Sequence, residues 1–174
     1  MNEPGNKQQF QAVILPHLDA AYSLARWLTR RPHDAEDIVQ EALIRAMKYF
    51  SGFRGENARA WFLVIVRNSC YSWFQKNQQR DSTQLSDDEQ LESIDVTSDP
   101  AFSAQSEANR RAVRKALNEL PTEFREVVVL RDIEGLSYRD ISEVVGLPMG
   151  TVMSRLSRAR ARLQELLKEL RSPS

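Results

Sequence analysis

Cysteine is nearly absent from this sequence: Cys70 stands alone. That excludes an internal disulfide and any multi-cysteine zinc site, and it places the chain in a reducing cytoplasm. Histidine is almost as scarce, with only His17 and His33, too few for a histidine-rich metal centre. No run of eighteen apolar residues occurs, so no membrane insertion is expected. The opening MNEPGNKQQF lacks the basic and apolar regions of a signal peptide. No catalytic residue, metal or cofactor is expected.

Net charge is also missing, at +0 for 174 residues, which at first argues against a nucleic-acid partner. The distribution reverses that impression. Residues 1–80 hold 11 Lys/Arg against 7 Asp/Glu, residues 81–108 hold none against 8, and residues 109–174 hold 13 against 9. Two basic lobes therefore flank a purely acidic stretch. That stretch, residues 81–108, has few large apolar residues and no helical stripe, and reads as a flexible linker.

The second lobe, residues 109–171, carries the sharpest motif. In LSYRDISEVVG, Ser137 can cap a short helix, Ile141, Val144 and Val145 form its buried side, and Gly146 stops it. Pro148 then opens a helix whose residues Met149, Val152, Leu156, Ala159, Leu163, Leu166, Leu167 and Leu170 form one apolar seam. Its opposite face holds the small residues Thr151, Ser154 and Ser157, edged by Arg155, Arg158 and Arg162. A merely solvated helix carries Lys/Glu pairs at i,i+4, but no acid occurs before Glu165. Small residues let a backbone approach a surface closely, and arginines reach its phosphates or base edges. Two helices joined by a tight glycine turn, the second basic, describe a helix-turn-helix.

The first lobe, residues 8–80, begins with Phe10, Val13, Ile14, Leu18, Ala21, Leu24, Ala25 and Leu28 at helical spacing, expected as one amphipathic helix ending before Pro32. Asp34 can cap a second helix, on which Asp37, Gln40 and Glu41 share a polar face. After the turn-rich FRGEN comes RAWFLVIVRNSCYSWFQKNQQR. Its WFLVIV core could be a strand by pattern, but length and neighbours favour a buried helix. There Trp61, Phe62, Tyr71, Trp73 and Phe74 alternate with Arg59, Arg67 and Asn68, a mixture able to stack unpaired bases along a phosphate track.

In order and spacing, DAEDIVQEA, RAWFLVIVRN, the acidic linker and the final helix-turn-helix together resemble the extracytoplasmic-function sigma factors over roughly residues 8–170. The resemblance implies an all-α fold of two small helical domains, a region 2-like bundle and a region 4-like helix-turn-helix. It implies docking on bacterial core RNA polymerase through Asp37, Gln40 and Glu41. It implies minus-ten recognition and melting by the loop and helix from Phe53 to Gln75, with Phe53, Arg54, Arg59, Arg67 and Asn68 on the DNA and Trp61 facing the core. Thr151, Ser154, Arg155, Ser157, Arg158 and Arg162 would meet the minus-thirty-five element of promoter DNA. The acidic linker would thread the RNA exit path, and an anti-sigma factor would hold the protein in check. Met153 departs from the family, many members of which carry Lys or Arg there.

Two rivals are weaker. A free-standing regulator using the same helix-turn-helix would need to dimerise, and LQELLKELRSPS after Leu163 is short for a coil. An enzyme could use His33-Asp34, a pairing found in helical metal phosphohydrolases, but ligands are lacking. Cys70 lies in an apolar run without a histidine nearby, a poor nucleophile.

Overall fold

The computed structural model describes residues 4–78 and 104–171. Eight α-helices and no strand occur among the described residues. Most of the acidic linker lies outside them.

In the first lobe, α1 (Pro4–Ile14) and α2 (Leu18–Thr29) are separated by a 3-10 turn at Leu15–His17. One continuous helix was the expectation. Pro16 breaks it, because its ring offers no N–H to the helical ladder. The apolar stripe survives the break: Phe10, Ile14, Ala21, Leu24, Ala25 and Leu28 are all buried. The next helix, α3 (Pro32–Tyr49), opens on Pro32, with extended Arg31 at the N-cap position. Asp34 is therefore not the cap; it sits inside the first turn, where a carboxylate still favours the positive end of the helix. After a 3-10 turn at Phe50–Gly52, α4 (Ala58–Asn77) is a helix, not a strand. Asn57 caps it in a left-handed conformation (φ 78°), its side-chain oxygen accepting the Ala60 N–H at 3.1 Å. Helix α4 shows no one-sided stripe because it is covered twice, by α2 and α3 on one flank and by α7 of the second lobe on another.

In the second lobe, α5 (Ala104–Glu119) begins earlier than composition suggested. Residues 104–108, assigned to the linker, form its first turn. Helix α6 (Thr122–Val128) runs into a π-helical turn at Val129–Ile133, in which the Glu134 N–H reaches back to the Val129 carbonyl at 2.9 Å. Then α7 (Tyr138–Val145) and α8 (Met149–Arg171) complete the helix-turn-helix. Its local chemistry is as expected. Ser137 caps α7 by accepting the Asp140 N–H at 3.1 Å, and Gly146 ends it at φ 71°, the left-handed conformation that glycine adopts without strain. Pro148 directly precedes α8, and its carbonyl accepts the Val152 N–H at 3.0 Å. On α8 Val152, Leu156, Ala159 and Leu166 are buried, with Leu163, Leu167 and Leu170 packed beside them. Met149 is 47% exposed and does not belong to that seam.

The lobes do not stand apart. Helices α2 and α4 pack on α6, the π turn and α7, and one hydrophobic cluster runs through both lobes.

Candidate nucleic-acid interface

On α8 the six expected residues share one face. At 100° per residue, Thr151, Ser154, Arg155, Arg158 and Arg162 fall within a third of the circumference, and Ser157 lies alongside. Ser154, Ser157, Arg158 and Arg162 are exposed, on the side opposite the buried seam. Arg155 is the most enclosed, with its guanidinium 3.9 Å from Glu123. Arg162 meets Glu165 at 3.1 Å within its own helix. Met153, 49% exposed, presents an apolar side chain next to Ser157. Arg160 is turned away and grips both carboxylate oxygens of Asp132 (3.1 and 2.6 Å), tying α8 to the π turn.

On α3 the expected stripe is open: Asp37, Gln40 and Glu41 are all exposed, and Glu41 accepts a 2.8 Å bond from Arg45. Ile44 continues the stripe at 71% exposure. Its i+3 spacing from Glu41 is the sequence signal that marks it as part of the stripe. An acid/amide row beside a bare isoleucine has no cation to offer a phosphate backbone.

The residues assigned to the minus-ten element are not gathered in one place. Phe53 belongs to an aromatic cluster, its ring stacked on Phe50 (centroids 5.9 Å) and near Trp61 (5.1 Å). With exposed Arg54 it borders an open cleft of about 460 Å³, also lined by Asn6, Gln9, Val13 and Ser51. Asn68 is exposed on the Trp61 side of α4. Arg59 lies about half a turn from Asn68, and its charge acts on Glu134 of the second lobe, whose carboxyl is pushed up by burial while a Ser23 hydrogen bond and that arginine pull it back down. Burial, with the charge of Arg59, likewise lowers His17.

Arg67 is held by the second lobe. Its Nε donates to Glu126 Oε1, a second guanidinium nitrogen to Oε2 at 3.4 Å, and its plane lies 4.3 Å from the Tyr71 ring centroid. The Tyr71 hydroxyl also donates to Glu126, at 3.0 Å. Burial alone would lower the Arg67 guanidinium, but the bond and charge of Glu126 outweigh it and raise it. Burial and the Glu126 charge push both Tyr71 and Cys70 up to about 12. Glu126 itself is fully buried. Its neighbour Arg125 is buried too, donating to the carbonyls of Leu120 (2.9 Å), Asn118 (3.2 Å) and, across the lobes, Leu28 (3.4 Å). Burial and nearby Arg30 bring Arg125 down to about 10, still charged at neutral pH.

Among the described residues, no group of three His, Cys, Asp or Glu could hold a metal ion, and no helix is long and apolar enough to cross a membrane.

A helical bundle with an exposed acidic stripe, joined to a helix-turn-helix with an open arginine-edged helix, is the architecture of a two-part promoter-recognition factor. Comparison with known proteins carries this further. Residues 13–80 match sigma-70 region 2, and residues 110–163 match sigma-70 region 4. The ECF RNA polymerase sigma-E factor of Haemophilus influenzae is 30% identical, across 97% of this chain and 92% of its own. The ECF RNA polymerase sigma factor SigM of Mycobacterium tuberculosis is 32% identical, across 94% and 79%. Among solved structures, the sigma factor RpoE in complex with the anti-sigma factor NepR from Bartonella quintana superposes with a TM-score of 0.72 at 34% identity, covering 93% of this chain and 96% of that one. The chain belongs to the extracytoplasmic-function sigma factors of the sigma-70 family, and its function is promoter-specific transcription initiation.

Proposed function

We propose that this sigma factor divides its work among three surfaces. Asp37, Gln40 and Glu41, extended by Ile44, dock on bacterial core RNA polymerase. Phe53, Arg54, Arg59, Arg67 and Asn68 engage the minus-ten element. Thr151, Ser154, Arg155, Ser157, Arg158 and Arg162 enter the major groove of the minus-thirty-five element. The single observation behind this division is the α8 face: small residues at the centre, arginines at the edge, a tight glycine turn before it and a buried seam behind it. Its two serines and threonine let the backbone come close, while Arg158 and Arg162 reach phosphates or guanine edges.

Opening the minus-ten element asks for no bond-making chemistry. Unstacking a base costs a few kcal/mol, and each base stacked on an aromatic side chain returns roughly 1–3 kcal/mol. Each lobe carries little excess charge, so free DNA affinity is low. Mounted on polymerase, the two readers act as a linked pair with a high effective concentration. The protein works in the cytoplasm, and an anti-sigma factor is its regulator, as NepR is the partner in the solved relative.

Gel filtration with bacterial core RNA polymerase tests the reading. The wild-type chain is expected to co-elute, and an Asp37→Ala/Gln40→Ala/Glu41→Ala variant to elute alone. Wild-type chain eluting alone, with no inhibitor present, would overturn it.

A further inference from the structure

The inter-lobe contact has a consistent chemical pattern. At several points the second lobe meets α4 or its cap with a carboxylate. Glu126 takes Arg67, Asp140 accepts the Asn57 side-chain N–H at 2.7 Å, and Glu134 feels the charge of Arg59. Backbone contacts flank the set: Arg30 donates to the Asn118 carbonyl at 3.1 Å, and Arg125 to that of Leu28 at 3.4 Å.

A carboxylate and a phosphodiester offer a guanidinium the same thing, an oxygen anion for its fork of N–H groups. Arg67 has only 19% of its side chain exposed, and its Glu126 partner has none. An arginine already neutralised by a buried carboxylate releases no counterions from DNA, so it adds nothing to electrostatic affinity. Asn68 and Arg54 remain open on the same lobe, and so does the α8 face. The closed molecule thus covers the cationic side of α4 while leaving its amide side and the other reader accessible.

We propose that Glu126, Glu134 and Asp140 form an internal substitute for the minus-ten strand, a surface of the second lobe that competes with single-stranded DNA for Arg59 and Arg67. The lobes must part at α4 before both arginines reach DNA. The inference rests on the assignment of those arginines to the minus-ten element, but it is tested without polymerase.

The probe is a fluorescein-labelled single strand of random sequence, about 20 nucleotides long, followed by fluorescence anisotropy. The Glu126→Gln/Glu134→Gln chain keeps the shape of both side chains and removes their charge. It is expected to bind about tenfold more tightly than wild type, the factor by which a largely closed population suppresses affinity. A Glu36→Gln/Glu143→Gln chain makes the same charge change at exposed positions outside the contact and is expected to change affinity less than about twofold. Equal gains in both variants, or a gain in neither, would overturn the proposal.

Hydrogen exchange on the unmodified chain gives a readout that no misfolding variant can spoil. Adding the oligonucleotide is expected to protect residues 58–77 and to deprotect 122–128. Protection of 58–77 with 122–128 unchanged would mean that DNA binds with the lobes shut, and the competition would be refuted. Co-elution with core polymerase, scored separately, distinguishes failure of the sigma assignment from failure of this contact.

Discussion

Helices α4 and α8 are both long, both carry arginines, and both are proposed here to read promoter DNA, yet they stand in opposite states. On α8, Arg158 and Arg162 line an open face, while Arg155 and Arg160 pair with Glu123 and Asp132, carboxylates that are themselves solvent-exposed. On α4, Arg67 ends on a buried glutamate of the other lobe, and Arg59 acts through its charge on a second, half-buried one. The difference lies in what lies opposite each helix. Helix α8 has one apolar seam and one partner side, so its other half is left to solvent. Helix α4 has apolar residues around most of its circumference and is packed on both flanks. An arginine on a one-sided helix is available by default, whereas one on a two-sided helix is available only when a partner leaves.

That contrast can be broken most strongly through the core. Phe62→Ala in α4 is expected to lower unfolding free energy by about 3–5 kcal/mol in a denaturant titration, since the ring is fully buried. Ser157→Ala on the open face of α8 should stay within about 0.5 kcal/mol of wild type. Comparable losses at the two sites would mean that α8 is also covered.

Cys70 sharpens the picture from inside α4. Its thiol is raised from 9.0 to about 12 by burial and by the Glu126 charge, so the neutral form is retained until the pH climbs through about 12. At pH 8 the folded chain should therefore hold about a thousandfold less thiolate than the unfolded chain. Iodoacetamide labelling followed by mass spectrometry measures this directly. Native and urea-unfolded chains labelling at similar rates would contradict it.

A smaller effect belongs to the α8 face. Arg158→Ala should weaken binding of the polymerase-bound factor to promoter duplex by about 1–3 kcal/mol if Arg158 contacts a base edge. If it contacts phosphate instead, it should lower the salt slope by about one unit. A filter-binding salt series separates the two. A small effect is also expected at Asp132→Asn, which breaks an exposed pair with Arg160 and should cost no more than about 1 kcal/mol in thermal melts.

What could be read directly from sequence follows the same division. The helix-turn-helix was legible because its signals are local: Ser137 caps within three residues, Gly146 supplies its own left-handed turn, and the α8 seam repeats along one element. The Asp37/Gln40/Glu41 stripe was legible for the same reason. Pro16 was overlooked because an unbroken apolar stripe outweighed a single residue. The roles of Arg125 and Glu126 could not be read, because FREVV looks like charged residues on a helix surface until α2 and α4 arrive from the other end of the chain. The scatter of the minus-ten residues was hidden similarly. Motif order placed Arg59, Arg67 and Asn68 on one helix, but half a turn between Arg59 and Asn68 sends them in different directions.

The π turn at Val129–Ile133 has a consequence of another kind. Its i→i+5 bond encloses one residue more than an α turn does, so it behaves as a single-residue insertion absorbed without a loop. Carried in a regular α-helix, that extra residue would turn everything after it by about 100°. Widened into a π turn it leaves the downstream segment in phase, so that Asp132 still meets Arg160 and Leu136 stays fully buried. The bulge thus keeps the helix-turn-helix in register with the helix before it.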